Sequence, residues 1–242
     1  MSFTTWTPAA VASEGRPWQG QAWRAVEAQH RVSTLRLVDT LAEQAQLESL
    51  LEASKPALPS ARGPHHYLLL TPFRYPALHP GGSRFRAATD PGVFYGADEA
   101  RTACAELGYW RWRFLRDSPA LQRLESLPHT LFQVGVAGLA VDLTLAPFAA
   151  DAALWTAPSD YSACQHLARQ ARAARLALLR YRSVRDPAAG MCAAVLHPVA
   201  LVTEPLVEQT WRLAVTRQHV QWQRDSVLHA ESFEFPVAAL DA

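Results

Sequence analysis

The sequence predicts an α+β fold in which strands dominate the second half of the chain. Apolar residues recur at helical spacing in several segments, short apolar runs are bounded by glycine and proline turns, and apolar and polar residues alternate near the C-terminus. The chain has 242 residues, of which 49% are hydrophobic, so it can bury a substantial core. We predict an N-terminal arm and helical extension over residues 1–80, packed on a main domain over residues 81–242.

The composition excludes several classes of protein. A net charge of +1 argues against a dedicated nucleic-acid binder, so we expect no direct contact with nucleic acid. The three cysteines, Cys104, Cys164 and Cys192, are far apart and form no C-x-x-C pair, so we expect neither a disulfide framework nor a metal site. Because the sequence has no secretory signal and no apolar span of about 20 residues, we expect a cytoplasmic protein without membrane contact.

The first 80 residues predict four elements. In chain order these are a loosely held arm over residues 1–18, a short strand at Trp23–Val26, a helix from Thr40 to Ala53 and a buried strand at Tyr67–Leu70. Asp39 or Thr40 caps the helix, and Lys55-Pro56 ends it. A loop is predicted between this helix and the buried strand.

The stretch from Gly82 to Phe114 predicts strand, turn, strand and helix, and the rest of the chain is arranged around it. It places Arg84, Tyr95 and Glu106 on three successive elements. Apolar residues follow the three-and-four spacing of one helical face, and Glu106 falls at the border of that face. A carboxylate at such a border can point into a cleft.

The second half predicts mostly strands. The elements are a hairpin of Thr130–Val136 and Leu139–Leu145 around Ala137-Gly138, a helix from Asp160 to about Arg175, strands at Leu176–Arg182 and Met191–Leu196, and alternating strands in the tail. Ser159 caps the helix. The first of the two single strands delivers Ser183 into the loop SVRDPAAG.

The sequence lacks most standard catalytic signatures, including the phosphate-binding loop, the dinucleotide fingerprint and the nucleophile elbow. The pair His65-His66 lies in the predicted loop, where an ordinary solvated role is favoured over metal binding. Ser183 has no histidine placed beside it by any pattern, which disfavours a hydrolase nucleophile.

Arg84, Tyr95, Glu106 and Ser183 have a more coherent interpretation as a dinucleotide site. Arginine's planar fork suits pyrophosphate oxygens, a tyrosine can face the nicotinamide or ribose, and a serine hydroxyl can bond phosphate or ribose. Cleavage of the nicotinamide–ribose bond passes through a cationic transition state, which a fixed carboxylate stabilises. On spacing alone, however, ordinary surface, core and turn roles for these four residues remain the default.

A family resemblance favours the dinucleotide interpretation. The strings GSRFR, GVFYGADEARTACAELGYWRWRF and DYSACQHLARQARAARLALLRYRSVRDPAAGMCAAVLHP resemble the RES domain of bacterial toxins, over approximately Trp23 to Leu201. The family's arginine, tyrosine, glutamate and serine fall on Arg84, Tyr95, Glu106 and Ser183. The resemblance implies a fold similar to that of ADP-ribosyltransferase toxins, with an additional N-terminal segment.

The resemblance also implies an activity and partners. The activity is NAD⁺ consumption by phosphorolysis or hydrolysis of the nicotinamide–ribose bond, with ADP-ribosyl transfer to a protein, or nucleotide binding without catalysis, as alternatives. NAD is a substrate, and no metal is implied. A small antitoxin with a helix-turn-helix region would cover the mouth of the active site. The number of subunits is left open, and a homodimer is one possibility. Additional phosphate contacts are predicted at Arg74, Tyr75, Arg86 and Arg185. The longer part from Ser33 to Pro80 and Ser83, in place of a glycine, depart from the family pattern.

Overall fold

The computed structural model describes residues 6–28, 37–56, 66–77, 79–202 and 204–240. It confirms the α+β class. The helices are α1 (Pro8–Ser13), α2 (Leu41–Ser54), α3 (Tyr67–Arg74), α4 (Ala100–Arg116), α5 (Ala152–Trp155), α6 (Ser162–Ala173) and α7 (Val237–Leu240). The strands are β1 (Arg16–Glu27), β2 (Phe94–Ala97), β3 (Arg123–Asp142), β4 (Leu178–Arg182), β5 (Met191–Val195), β6 (Val207–Thr216), β7 (His219–Arg224) and β8 (Ser232–Pro236).

One sheet runs through the described residues in the order β1-β2-β5-β4-β3-β6-β7-β8, and β1 also pairs with β3. The strands from β1 to β3 in this order therefore close into a ring. The long strand β3 makes the closure possible, because it pairs with β1 from Arg16↔Ala140 to Glu27↔His129. On its other side it pairs antiparallel with β6 and, at its end, parallel with β4. The strands β6, β7 and β8 extend the sheet beyond the ring.

Three apolar clusters fill the fold. One lies among the ring strands and includes Phe94, Phe132 and Leu178. A second joins α1 and α6 to the sheet, and a third packs α4 against β6 and β7 through Trp112 and Trp211. The helix α4 is thereby fixed beside β1 and β2, which sets the position of the site described below.

Several predicted elements are present with shifted ends. The structure has helices at α2, α4 and α6, and strands at β4 to β8, where the sequence predicts them. A capping box of Thr40 and Glu43 begins α2, since each side chain accepts a hydrogen bond from the other residue's main-chain N–H.

The predicted buried strand at Tyr67–Leu70 is wrong, because this segment is the helix α3. The side chain of His66 accepts a hydrogen bond from the Leu68 N–H and caps the helix. All three of Leu68, Leu69 and Leu70 are buried. A short run that is apolar on every side has no periodicity that separates a buried helix from a buried strand.

The predicted hairpin at Ala137-Gly138 is also wrong, since β3 continues through both residues. A Cβ at Gly138 would lie 2.5 Å from the Cβ of Ala177. The glycine therefore permits a close approach of the neighbouring chain and does not mark a turn.

The predicted strand around Arg84 is a tight turn instead. The main-chain groups of Ser83 and Arg86 bond each other in both directions, at 2.7 and 3.1 Å. Because these two hydrogen bonds join residues three positions apart, they close a turn, and Arg84 lies at its tip.

The N-terminal segment is bound more firmly than predicted where the structure describes it. Trp6 stacks on Phe148 with ring centroids 4.1 Å apart, and Val11 of α1 is fully buried. The strand β1 belongs to the same sheet as the main domain. Residues 1–5 and 57–65, the latter including most of the predicted loop and His65, lie outside the described residues. The division at residue 80 stays a prediction.

We expect Gly92→Ala to destabilise the fold, because Gly92 lies where the loop before β2 contacts α3. A Cβ at this position would lie 2.2 Å from the carbonyl oxygen of Pro72 and 2.5 Å from the Cα of Phe73, and this backbone cannot move aside cheaply. We expect the free energy of unfolding to fall by about 1–3 kcal/mol. Each kcal/mol lowers the melting temperature by about 2–4 °C in a chain of this size. Thermal unfolding measures it. Gly81→Ala is the control, since its Cβ would meet only the His79 side chain; equal melting temperatures would contradict the prediction.

Candidate active site

A cavity of about 220 Å³ lies between β1, β2, α4 and the loops that follow α5 and β4. Its walls combine aromatic and aliphatic side chains with three arginines and one glutamate. The lining residues used below are Trp23, Arg24, Arg84, Tyr95, Glu106, Trp110, Tyr161 and Arg185. Of the four residues predicted as a dinucleotide site, three line this cavity and the fourth, Ser183, bonds one of them.

Arg84 is buried and holds the loop after α5. Its Nη1 donates to the carbonyl oxygens of Trp155 and Ala157, both at 2.9 Å. Its guanidinium also lies over the ring of Tyr161, 4.8 Å from the centroid. The remaining donors of this planar group are directed by these contacts and form a charged wall of the cavity.

Tyr95 is partly buried at the start of β2. Its hydroxyl accepts a hydrogen bond from the Phe85 N–H at 2.9 Å and shares a second one with the Ser83 hydroxyl at 2.8 Å. Burial raises the pKa of Tyr95 to about 12, so the phenol stays protonated at neutral pH. These bonds tie the ring to the turn that carries Arg84.

Glu106 lies on the cavity side of α4, as its place at the border of the apolar face predicts. Its Oε1 accepts a hydrogen bond from the Ser183 hydroxyl at 2.6 Å. Burial raises the pKa of Glu106, while the bond from Ser183 and the charges of Arg84 and Arg185 oppose this rise. The bond from Ser183 therefore holds the carboxyl group of Glu106 in place where it faces the cavity.

Arg185 also lines the cavity, and its predicted phosphate contact stays a prediction. It is buried, its guanidinium lies 3.7 Å from the centroid of the Tyr109 ring, and Nη2 donates to the Pro158 carbonyl oxygen. Arg84 and Arg185 thus hold the same loop from two sides.

Arg24 of β1 lines the cavity, and sequence reasoning missed it. Its Nη1 donates to the Tyr95 carbonyl oxygen at 2.8 Å, and its Nε has no partner among the described residues. Burial lowers the pKa of Arg24 to about 10, which still leaves it charged at neutral pH. The available signal was a charged residue inside the apolar strand Trp23–Val26.

Three further predicted residues do not line the cavity. Arg74, at the end of α3, donates to the Pro56 carbonyl oxygen and to Glu52. Arg86 donates to the carbonyl oxygens of Tyr75 and Asp90, which leaves both Arg86 and Tyr75 in the connection before β2. Their phosphate contacts remain predictions that this placement does not favour.

Among the described residues, no group of three or more His, Cys, Asp or Glu side chains is arranged to hold a metal ion. No helix in the described ranges is long and apolar enough to cross a membrane.

The family model of the RES domain matches residues 57–216, about two thirds of the chain. The chain belongs to the RES domain family. The expected membership is confirmed, and the match includes the positions of Arg84, Tyr95, Glu106 and Ser183. Arg24 and the whole of β1 precede the matched span, although β1 completes the ring of strands.

Comparison of this RES protein with solved structures gives a likeness to the crystal structure of the M. tuberculosis MbcT–MbcA toxin–antitoxin complex. The identity is 14%, the alignment covers 87% of this chain and 92% of that chain, and the TM-score is 0.48. No curated protein matches this chain.

The raised pKa of Glu106 predicts a pH-dependent stability difference in this RES domain. The folded state binds the Glu106 proton more tightly than the unfolded chain does, so ionisation of Glu106 lowers stability as pH rises through the raised pKa. Glu106→Gln should therefore have a higher melting temperature than the wild type at about pH 8. Each kcal/mol gained in the free energy of unfolding raises the melting temperature by about 2–4 °C in a chain of this size. The gap should shrink towards about pH 4, where an ordinary glutamate is largely protonated. Thermal unfolding at both pH values measures it, and a gap independent of pH would contradict the assignment.

Proposed function

We propose that this RES protein is an enzyme that cleaves the nicotinamide–ribose bond of NAD⁺ by phosphorolysis or hydrolysis. The observation that carries the proposal is the convergence of Arg84, Tyr95 and Glu106 on one cavity, with Ser183 bonded to Glu106. These residues come from a turn, a strand, a helix and a loop that are far apart in the sequence. Their meeting at one small volume is not required by packing alone.

The proposed chemistry uses charge in two places. Glu106 faces the ribose carbon, where its carboxylate stabilises the positive charge that develops as the bond to nicotinamide breaks. Arg84 and Arg185 bind the pyrophosphate oxygens, to which guanidinium groups are well matched. Tyr95 stays neutral and holds the turn that aims Arg84.

The atoms balance for either acceptor. In phosphorolysis a phosphate oxygen bonds to the ribose carbon, the carbon–nitrogen bond breaks, and nicotinamide leaves with the bonding pair, which gives ADP-ribose 1″-phosphate. In hydrolysis water takes the place of phosphate, and the products are nicotinamide, ADP-ribose and a proton.

The size of the cavity suits part of the dinucleotide. Ligand pockets commonly enclose about 300–1,000 Å³, and this cavity encloses about 220 Å³. We therefore place the nicotinamide riboside half inside and the adenosine half at the mouth, beside the exposed ring of Trp110.

The test is to incubate the purified chain with NAD⁺, with and without inorganic phosphate, and to follow nicotinamide and the second product by chromatography and mass spectrometry. Phosphorolysis predicts ADP-ribose 1″-phosphate only when phosphate is present, and hydrolysis predicts ADP-ribose in both cases. Nicotinamide release that requires an added protein, with ADP-ribose attached to that protein, would identify a transferase. No nicotinamide, together with a raised melting temperature in NAD⁺, would identify a binding protein and overturn the proposal.

We further propose that the enzyme is a cytoplasmic toxin held by a small helix-turn-helix antitoxin at the cavity mouth. Trp110 on α4 lines the cavity and is 41% exposed, and Phe114, one helical turn further along α4, is 56% exposed. Exposed rings at such a position favour a protein contact. Co-expression with the product of the adjacent gene should restore NAD⁺ levels, and Phe114→Ser should weaken that protection. Size measurement of the chain alone tests whether it forms a homodimer.

A further inference from the structure

The loop from Ser183 to Gly190, between β4 and β5, is fastened to α4 at two neighbouring points. At the first, Ser183 donates to Glu106 at 2.6 Å. At the second, the carboxylate of Asp186 accepts from the Thr102 hydroxyl at 2.7 Å and also pairs with Arg101. Thr102 and Glu106 are four residues apart on α4, so they lie on the same side of the helix, one turn from each other.

The hydrogen bonds of Ser183 leave its hydroxyl one direction for its proton. The Ser183 Oγ accepts from the main-chain N–H of Arg185 at 3.2 Å and from that of Asp186 at 2.9 Å. A hydroxyl has two acceptor sites and one proton. Because the two N–H groups occupy the acceptor sites, the proton is directed to Glu106.

Asp186 fixes the loop conformation on which this arrangement depends. It is 4% exposed, and besides Thr102 and Arg101 its carboxylate accepts the Ala188 N–H at 3.1 Å. Thr102 is fully buried. A Cβ at Gly190 would lie 2.2 Å from the Thr102 hydroxyl oxygen, so only glycine lets the loop close this tightly on α4.

We propose that Thr102 and Asp186 are positioning residues that aim the Ser183 hydroxyl at Glu106. Neither lines the cavity, and each acts through the loop. The inference rests on the proposed function for its effect on rate, but the geometry it concerns can be measured without turnover.

The consequence follows from the charges that face Glu106. Burial raises the pKa of Glu106, and the bond from Ser183 is the largest contact that opposes this rise; Arg84 and Arg185 also favour the charged form, and Asp186 disfavours it. If the loop loses its hydrogen bond to Thr102, the Ser183 hydroxyl is no longer positioned to donate a hydrogen bond to the Glu106 carboxylate. Glu106 then becomes protonated at higher pH, and turnover falls with little change in substrate binding.

Thr102→Val tests the inference, because valine has the shape of threonine without its hydroxyl. We expect kcat to fall about 10- to 100-fold, with KM within about threefold, and the acidic limb of the rate–pH profile to move to higher pH. Thr102→Ser should restore both. Thr71→Val is the matched control, since the Thr71 hydroxyl bonds the Tyr67 carbonyl oxygen within α3.

Two comparisons separate positioning from general damage. Ser183→Ala should shift the same limb in the same direction, and the double variant Thr102→Val/Ser183→Ala should be no slower than Ser183→Ala alone. Full additivity of the two effects would overturn the inference, as would a Thr102→Val enzyme with wild-type kcat and pH profile. If Thr102→Val does not fold, Arg101→Gln loosens the same anchor from a partly exposed position and carries the same expectations.

A readout without substrate separates this inference from the proposed function. The Glu106 carboxyl carbon, labelled with ¹³C and assigned by its loss in Glu106→Gln, can be titrated by NMR. Its pKa should rise in Thr102→Val as it does in Ser183→Ala, and an unchanged titration would refute the positioning role. A wild type that releases no nicotinamide would refute the proposed function alone.

Discussion

Glu106→Gln is expected to slow nicotinamide release by about 10²–10³-fold while NAD⁺ still binds. Glutamine keeps the size of the side chain, and its Oε1 can still accept the Ser183 hydroxyl proton. It lacks the negative charge that, in the proposed mechanism, stabilises the cationic transition state. Since that charge acts mainly in the transition state, kcat should fall and KM should change little.

The measurement is steady-state release of nicotinamide, together with the melting-temperature increase produced by ADP-ribose. Glu125→Gln on β3 is the control, because Glu125 is exposed and pairs with Arg123 away from the cavity. A Glu106→Gln enzyme with wild-type kcat would remove Glu106 from the mechanism. A variant that no longer responds to ADP-ribose would indicate a binding role instead.

Arg84→Ala should weaken both binding and rate, with kcat/KM reduced about 10²-fold. Removing one partner of a charged hydrogen bond in a desolvated site costs about 2–5 kcal/mol. The variant also leaves the carbonyl oxygens of Trp155 and Ala157 without their donor, so the loop that carries Tyr161 loses its support. KM should therefore rise, in contrast to Glu106→Gln.

Arg84→Lys distinguishes charge from shape. Lysine keeps the charge but cannot donate to two carbonyl groups and a phosphate in one plane, so we expect only partial recovery. Arg123→Ala on the exposed part of β3 provides a control for loss of an arginine. An unchanged KM in Arg84→Ala would count against the phosphate role.

The sequence singles out Arg84, Tyr95, Glu106 and Ser183 mainly through the family resemblance, because spacing alone favours ordinary roles for them. The border position of Glu106 on its helix is the one local pattern that indicates a cleft, and Glu106 lines the cavity. Asp186 could not be predicted, because its role depends on a contact with Thr102 across 84 residues. Neither residue has a local pattern that indicates the other.

Arg24 shows a second limit. Its strand was predicted, but its neighbours were not, because no local pattern indicates that β1 pairs with both β2 and β3. Pairing between distant strands is set by the whole sheet. The wrong predictions of a strand at α3 and of a hairpin within β3 have the same origin. The conformations at Leu68 and Gly138 depend on packing against distant parts of the chain, which no local pattern shows.

The closure of the ring by β1 has a consequence for how this protein can be shortened. A fragment that begins at residue 57, where the family match begins, would lack Trp23 and Arg24 and therefore one wall of the cavity. It would also leave β3 with a bare edge along the twelve positions that β1 covers, and bare edges invite aggregation. Inactivity or insolubility of such a fragment would therefore reflect the missing strand, and would not test the activity proposed for the intact protein.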